Sequence, residues 1–268
     1  ARAVDLGEKP AVLSGIAKLH ITERNREVIN DAMDVHGGKG ICMGPSNVLG
    51  AAYMQMPVSI TVEGANILTR SLIVYGQGAI RCHPFVLKEM EATRRADHAQ
   101  ALAEFDAAFA GHVRFTLSNM ARALVMGLTG SHFVGVPADV APEMRRHYQK
   151  LTRFSAALAF VSDVSMGVLG GALKRKEKLS ARLGDVLSAL YLCSATLKRY
   201  EDEGRHKADA PLAHWAVWDA MFKAQNAFEG VISNFPSRLV AAVCPAWGGR
   251  RFREGLSGVG CRERRQRR

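Results

Sequence analysis

The chain has 268 residues, 48% of them hydrophobic and 23% charged, which is typical of a folded protein with one or two domains. It contains no uninterrupted apolar run of the roughly eighteen residues that a transmembrane helix needs. The first residues, ARAVDLGEKP, include neither the apolar region of a signal peptide nor a starting methionine. We therefore expect a cytoplasmic chain that has been cut at its front.

The net charge of +11 is concentrated at the carboxyl end. Residues 250–268 hold eight arginines against two glutamates, so the rest of the chain is only mildly basic. Glycines interrupt this segment and it has no apolar periodicity, which predicts a disordered basic tail over 241–268. Such a tail fits binding to nucleic acid or to an anionic membrane, but it fits a truncated or non-native terminus equally well. We expect no nucleic-acid partner.

The cysteines do not form a pattern that indicates a disulfide framework or a zinc site. They are odd in number, widely spaced and never in a C-x-x-C pair: Cys42, Cys82, Cys193, Cys244 and Cys261. Reduced, buried thiols are the better interpretation, and no metal site is expected.

Apolar residues recur at helical spacing in three segments of the first half of the chain. The predicted helices run from Ala11 to Val35, from about Gly64 to Arg81, and from about Ala99 to Leu128. Pro10 suits the first turn of the first helix, and Gly37 and Gly38 suit its end. The third helix carries a stripe that we expect to face the core, formed by Leu102, Phe105, Phe109, Val113, Leu117, Met120 and Leu124.

Residues 129–143, TGSHFVGVPADVAPE, are rich in Gly and Pro and predict a linker. Three strongly patterned segments follow, separated by KRKEK and EDEGRHKAD. Short connections of this kind favour three antiparallel helices. The predicted fold class is therefore all-α, a helical bundle followed by a further helical region.

The stretch DVHGGKGICMGPSNVL, residues 34–49, breaks the first helix with four glycines and a proline. Bare backbone of this kind can approach an anion closely, but the order of residues is not that of a Walker loop or a dinucleotide fingerprint. By itself the cluster is equally a helix stop. His36 and His83, each beside a loop, are more typical of surface or capping residues than of ligands.

Glu63 is the lone acid of the next informative stretch, ITVEGAN. At a helix start, a glutamate most often only complements the helix dipole. No Ser-His-Asp constellation can be assembled from the spacing in this chain. The residues alone thus leave the role of Glu63 open.

The order of a helix, DVHGGKG, a loop and VEGANILTRSL resembles the C-terminal helical domain of the acyl-CoA dehydrogenases, flavoenzymes that desaturate acyl thioesters. In that family an acidic or amide residue three positions before a Gly-Gly-x-Gly turn contacts the FAD of the neighbouring subunit. The resemblance implies that role for the segment that also contains His36: Asp34, His36, Gly37, Gly38 and Gly40.

The same resemblance implies a catalytic role for the second stretch. The family's catalytic glutamate precedes a glycine at a helix start, which matches Glu63 and Gly64, with Gly64 beside the substrate. Ala65 occupies a position at which many members have a threonine that touches the flavin. The resemblance thus implies FAD as cofactor and Glu63 as the base that removes the α proton.

GANILTRSLIVYGQGAIRCHPFVLKEM, FVSDVSMGVLGGALKR and KEKLSARLGDVLSALYLCSATLKRYEDEGR are similar to one branch, the large bacterial enzymes of fatty-acid β-oxidation. This implies a dehydrogenase C-terminal domain over 1–95 and an additional helical region over 96–240. It also implies a fatty acyl-CoA substrate, an electron-transfer flavoprotein as acceptor, a homo-oligomer, and a cytoplasmic location that includes the periphery of the inner membrane.

The family's N-terminal helical domain and middle β domain have no counterpart in this sequence. We therefore expect the isolated chain to be inactive. Two alternatives come from other classes: a structural or oligomerisation module without catalysis, and a nucleic-acid or membrane binder that acts through the basic tail. Flavin absorbance would distinguish the first from the enzyme, and a steep salt dependence of binding would identify the second.

Overall fold

The computed structural model describes residues 2–237, so the basic tail predicted over 241–268 lies outside the described residues. Within 2–237 the regular structure is helical and contains no strand, which confirms the all-α prediction. The α-helices are, in chain order, α1 (Arg2–Asp5), α2 (Ala11–His36), α3 (Gly38–Ile41), α4 (Gly50–Thr61), α5 (Asn66–Leu68), α6 (Gly78–Arg81), α7 (Val86–Ala92), α8 (His98–Leu128), α9 (Arg145–Leu169), α10 (Ala172–Arg175), α11 (Glu177–Asp202) and α12 (Ala210–Ser233). A π-helix, Thr69–Gln77, joins α5 to α6, and a 3₁₀ turn, Pro142–Met144, precedes α9.

The chain divides into two compact units, Ala1–Gly78 and Ala79–Arg268. The division predicted from the sequence was near residue 95. The first unit contains both sequence motifs, and the second contains the long helices α8, α9, α11 and α12.

Helix α2 is the centre of the first unit, with α4 and the π-helix packed against it. The closest approach is at Gly15, where an added Cβ would lie 3.1 Å from Cγ2 of Ile73. Ile16, Leu19 and Val74 are buried in this unit. The π-helix is notable because such segments are rare and frequent at functional sites. It begins six residues after Glu63.

The predicted helix from Ala11 to Val35 is confirmed, but the stretch after it is not simply a loop. Helix α4 lies there and was missed. Its sequence, GAAYMQMPVSIT, has Pro57 in its interior and few polar residues, so it lacks the periodicity of an amphipathic helix. A usable signal precedes it, since the Asn47 side chain accepts hydrogen bonds from the N–H groups of Leu49 and Gly50.

In the second unit, the three helices predicted after the linker are confirmed as α9, α11 and α12. Helices α11 and α12 are antiparallel, because Arg182 bonds to the carbonyl of Gly230 while Cys193 contacts the carbonyl of Val217. Their core is formed by buried residues of the linker end, α11 and α12: Ala141, Met144, Cys193, Leu197, Tyr200, Ala213, Val217, Ala220 and Met221.

The prediction that the apolar stripe of α8 faces the core is wrong for most of its length. Leu102, Phe109 and Leu117 are 63%, 52% and 54% exposed, and Val113 is exposed as well. The buried positions of α8 are instead mostly small or polar: Ala108, Asn119, Ala123, Met126 and Gly127. Small residues let α7 and α9 approach the helix closely, and this turns the large side chains outward.

One helical stretch in the described part, Pro142–Leu169, is long and apolar enough to cross a membrane by length and composition. It is not an uninterrupted apolar run in the sequence, because charged residues interrupt it. Two of these, Arg153 and Asp163, are buried in the protein. Asp163 bonds to Thr116 of α8, so the packing of a core helix accounts for this composition.

The prediction of reduced, buried thiols holds for one of the described cysteines. Cys193 is buried, and burial raises its pKa to about 12. Cys42 and Cys82 are free but exposed, so their predicted burial is wrong. Both lie beside breaks between helices, where few neighbours cover a side chain. Cys244 and Cys261 are outside the described residues.

Candidate active site

The glycine turn ends α2 as predicted. Gly37 has a φ of 53°, and its N–H bonds to the carbonyl of Met33 at 2.9 Å, which is the C-terminal capping role of a glycine. The chain then starts the short helix α3 at Gly38. Gly40 is buried, and a Cβ there would meet the sulfur of Met33 at 3.1 Å. Packing within the unit thus explains Gly40, and backbone conformation explains Gly37.

Neither backbone conformation nor packing within the unit explains why residue 38 is a glycine. A Cβ added at Gly37 or Gly38 would meet no atom within 4 Å, because this side of the turn is open. Asp34 and His36, in the last turn of α2 before Gly37, are exposed, and the His36 ring donates through Nδ1 to the carbonyl of Ala32. The turn therefore presents bare backbone and a carboxylate to solvent, an arrangement that fits the close approach of a cofactor.

Glu63 adopts a strained backbone conformation. Its φ is 56°, and Gly64 follows with a φ of 85°. Helix α5 begins only at Asn66, with Ala65 as its extended N-cap residue, so Glu63 lies outside the first turn. The dipole interpretation therefore does not account for it. A non-glycine residue in the left-handed region costs about 1 kcal/mol or more and is concentrated at functional sites.

Two other non-glycine residues of the described part have a positive φ, Ser131 and Arg205. Both have a side-chain partner within the unit, since Ser131 accepts from Arg146 and Arg205 pairs with Glu201. Among residues 3–237, whose side chains the structure describes, the exposed Glu63 carboxylate has no hydrogen-bond or ion-pair partner. The strain at Glu63 is thus not offset by a hydrogen bond or ion pair of its own side chain.

The loop around Glu63 is held by the ammonium group of Lys18, which projects from α2. Lys18 Nζ donates to the carbonyl of Gly64 at 2.9 Å, to Asn66 Oδ1 at 2.6 Å and to the carbonyl of Ile60 at 3.4 Å. These bonds, here called the Lys18 clamp, join residues on both sides of Glu63 to α2.

Asn66 extends this network while being only 5% exposed. Its Nδ2 donates to Thr22 Oγ1 at 2.9 Å and to Glu23 Oε1 at 2.8 Å, both on α2. Thr69 donates to the carbonyl of Gly64 at 3.1 Å, from the start of the π-helix. Lys18 and Asn66 were not predicted from the sequence, because partners more than forty positions apart leave no local pattern. Thr69 was not predicted either, although its partner Gly64 is only five positions away.

The structure does not bring the two motifs together within the first unit. The loop of Glu63 is bonded to Lys18, whereas the glycine turn follows the other end of α2 at Gly37. Lys18 and Gly37 are nineteen positions apart along α2, which is about 28 Å along the axis at 1.5 Å per residue. One ring system cannot touch both motifs of the same chain at this spacing.

A separate polar cluster lies in the second unit, where His83, His112 and Asp163 are close enough to hold a metal ion. His83 Nδ1 accepts hydrogen bonds from the N–H groups of Phe85 and Val86, both at 3.2 Å. The proton of the neutral ring is therefore on Nε2, which lies 3.0 Å from Asp163 Oδ1.

A metal ion would need the lone pair of that same Nε2 atom. The hydrogen bonds are therefore those of a structural network, in which His83 caps α7 and ties it to α9. The expected capping role of His83 is confirmed, but its side chain is 8% exposed and not on the surface.

The sequence matches two family models. Residues 1–76 match the acyl-CoA dehydrogenase C-terminal domain, and residues 80–251 match the bacterial-type C-terminal domain of acyl-CoA dehydrogenases. No solved structure matches the chain. The matches meet where the two compact units meet. Since the second match alone covers more than half of the sequence, the chain belongs to the acyl-CoA dehydrogenase family.

Proposed function

We propose that this chain is the C-terminal part of an FAD-dependent dehydrogenase that desaturates fatty acyl-CoA thioesters between the α and β carbons in β-oxidation. In this proposal the Glu63 carboxylate takes the α proton, which requires a base within about 3 Å in a site that excludes water. The hydride leaves the β carbon for the flavin, which is the chemistry that bound FAD supplies.

The backbone around Glu63 has a second role in the proposal. In the described part of the chain, the N–H of Glu63 donates to no backbone carbonyl. It is therefore available to stabilise the negative charge that develops on the thioester oxygen as the α proton leaves. Gly64, which has no side chain, lets the thioester lie against the loop, and Ala65 lies next to it at the edge of the flavin.

The observation that carries the proposal is the strained, exposed and unpartnered state of Glu63. Packing, capping and ion pairing within the unit do not explain this state, so an interaction outside the unit remains as its reason. The family to which the chain belongs supplies a specific candidate for that interaction, an acyl-CoA thioester.

The open glycine turn supports FAD as the cofactor. Asp34, His36, Gly37 and Gly38 are exposed there, and Gly40 is buried in the same turn. The turn lies about 28 Å along α2 from Lys18, which holds the loop of the base in the same chain. In the proposal this turn contacts the FAD of a neighbouring subunit, which requires a homo-oligomer. An electron-transfer flavoprotein then reoxidises the flavin, in the cytoplasm or at the periphery of the inner membrane.

The isolated chain is inactive in this proposal. Glu63 and the glycine turn are both exposed in the first unit, whereas a tight site buries about 70 to 90% of its ligand. Further domains must enclose the thioester and the flavin. The enzymatic proposal can therefore be tested only in a complete dehydrogenase that carries this segment.

The test is Glu63→Gln in such an enzyme. Gln keeps the shape of the side chain but cannot take the α proton, so flavin reduction by acyl-CoA should fall about 10²-fold to 10⁴-fold. Flavin content should stay normal. Rapid-mixing absorbance of the flavin measures the rate, and Glu27→Gln, at an exposed position of α2, is the matched control.

Near-normal flavin reduction in Glu63→Gln would show that another residue is the base. A complete protein without flavin absorbance would instead favour the structural module. Loss of the FAD signal in both Glu63→Gln and the control would point to misfolding, which circular dichroism would detect.

A further inference from the structure

We propose that Lys18 and Asn66 are positioning residues for proton abstraction, because they set the geometry of the loop that carries Glu63. This inference rests on the proposed role of Glu63 as the base. It adds residues that have no contact with the reacting atoms and act through the backbone on both sides of Glu63.

Glu63 is strained and needs neighbouring bonds to hold its backbone in place. With a φ of 56°, its backbone would relax to a more common conformation unless neighbouring bonds held it. The Lys18 clamp supplies such bonds three residues before Glu63, at Ile60, and one residue after it, at Gly64. A loop fixed on both sides has little freedom to move its middle residue.

The Lys18 clamp is itself held in one orientation by bonds to α2. An ammonium group has three donors, and Lys18 directs them at two carbonyls and at Asn66 Oδ1. The Asn66 amide cannot rotate freely, because its Nδ2 is bonded to Thr22 and Glu23 of α2. Helix α2 therefore determines where Lys18 and Asn66 hold the loop.

A shift of the Glu63 loop should slow proton abstraction strongly. A misplacement of about 1 Å can cost about 10²-fold in rate when a reaction depends on a precise approach. The α proton must come within hydrogen-bonding distance of the Glu63 carboxylate, so the clamp should affect this step more than substrate binding. A purely structural role would instead lower folding or FAD content.

The experiment uses Lys18→Met in the complete, FAD-loaded dehydrogenase. Met keeps an unbranched stem but removes all three donors. Flavin reduction in a single turnover should fall about 10-fold to 100-fold, whereas the Kd of acyl-CoA should change by less than about threefold. Lys9→Met, at an exposed position of the same unit, should leave both values unchanged.

A double-mutant cycle separates positioning from general stability. In the Glu63→Gln background, Lys18→Met should lower the residual rate by less than about twofold, because no base remains to be positioned. An equal loss in both backgrounds would overturn the proposal. If Glu63→Gln keeps normal activity, the proposed function fails; if it loses activity while Lys18→Met does not, only the clamp fails.

Two further measurements cover the case in which Lys18→Met does not fold with FAD. Thr69→Val removes only the second donor to the Gly64 carbonyl and should slow flavin reduction about threefold to tenfold.

The second measurement is hydrogen exchange in the 268-residue chain, where the backbone amides of Leu68 and Thr69 bond to the Ala65 carbonyl. Asn66→Leu removes the side-chain amide at the centre of the network. In this variant the backbone amides of Leu68 and Thr69 should exchange hydrogen about tenfold faster, while amides of α12 keep their rates. Unchanged rates of flavin reduction in Thr69→Val or unchanged exchange in Asn66→Leu would overturn the proposal.

Discussion

At the scale of single residues, His147 makes the stability of the second unit depend on pH. Its ring is 3% exposed, and its Nε2 lies 2.7 Å from Nδ1 of His214. Burial is the main cause that lowers the pKa of His147 to about 4, and the charges of His214 and Lys150 lower it further. His147 is therefore neutral in the folded protein at pH values at which it is protonated in the unfolded chain.

The sign of the pH dependence follows from that difference. Between the usual pKa of 6.5 and the folded value of about 4, only the unfolded chain takes up the proton, so acid favours unfolding. The free energy of unfolding should fall by up to about 3 kcal/mol over this window, since one pKa unit corresponds to about 1.4 kcal/mol. Urea unfolding from pH 7 to pH 4 measures it.

The comparison is made with His147→Gln, which does not titrate. This variant is expected to be less stable at pH 7, but its stability should fall less steeply below pH 6.5 than that of the parent chain. His98→Gln, at an exposed position, should keep the parent slope. If stability falls with pH along parallel curves for the parent and His147→Gln, then His147 takes up its proton equally well in the folded and the unfolded chain, which contradicts this prediction.

At the scale of helices, packing decides whether a helix tolerates a side chain. Gly111 lies in the middle of α8, and an added Cβ would collide with the ring of Phe85. Gly167 lies near the end of α9, where an added Cβ would meet nothing within 4 Å. Alanine favours a helix over glycine by about 1 kcal/mol at either site, so only packing distinguishes the sites.

We expect Gly111→Ala to destabilise the protein by about 1 to 2 kcal/mol, because the overpacking cost exceeds the gain in helix propensity. Gly167→Ala should stabilise it by about 0.5 to 1 kcal/mol. Chemical denaturation of the two variants at the same pH measures both values. The same sign of change in both variants would contradict the close approach of Phe85 to α8.

At the scale of the whole molecule, the exposed stripe of α8 predicts self-association. The first and last of Leu102, Phe109 and Leu117 are fifteen positions apart, about 22 Å of helix, and each of the three residues is more than half exposed. We expect a second copy of the chain to cover this face, in agreement with the oligomers that are general in the family. The purified 268-residue chain should also lack flavin absorbance.

Analytical ultracentrifugation tests the association. The triple substitution Leu102→Gln, Phe109→Gln and Leu117→Gln should shift the chain to monomer, and Leu212→Gln, on an exposed residue of α12, should not. A monomeric parent chain would refute the role of the stripe. Stoichiometric FAD in the isolated chain would show that this chain alone suffices to bind the flavin.

Much of the fold could be predicted because helix formation is encoded locally. The spacing of apolar residues and the glycine terminators located α2, α8 and the three helices after the linker. Helix α4 was not predicted, because it contains Pro57 and a largely uniform run of apolar residues and so shows no amphipathic periodicity. The direction of the α8 stripe could not be read either, since periodicity shows that one face is apolar but not which element covers it.

The sequence by itself determined the all-α class, the family resemblance and the identity of Glu63 and the glycine turn as candidates, because these depend on short local patterns. Tertiary structure alone decided that Glu63 is strained and unpartnered and that Lys18 and Asn66 hold its loop. It also decided that this loop is bonded to α2 about 28 Å along the helix from the glycine turn. The physical reason is that hydrogen bonds between residues more than forty positions apart exist only after the helices have packed, so no local pattern contains them.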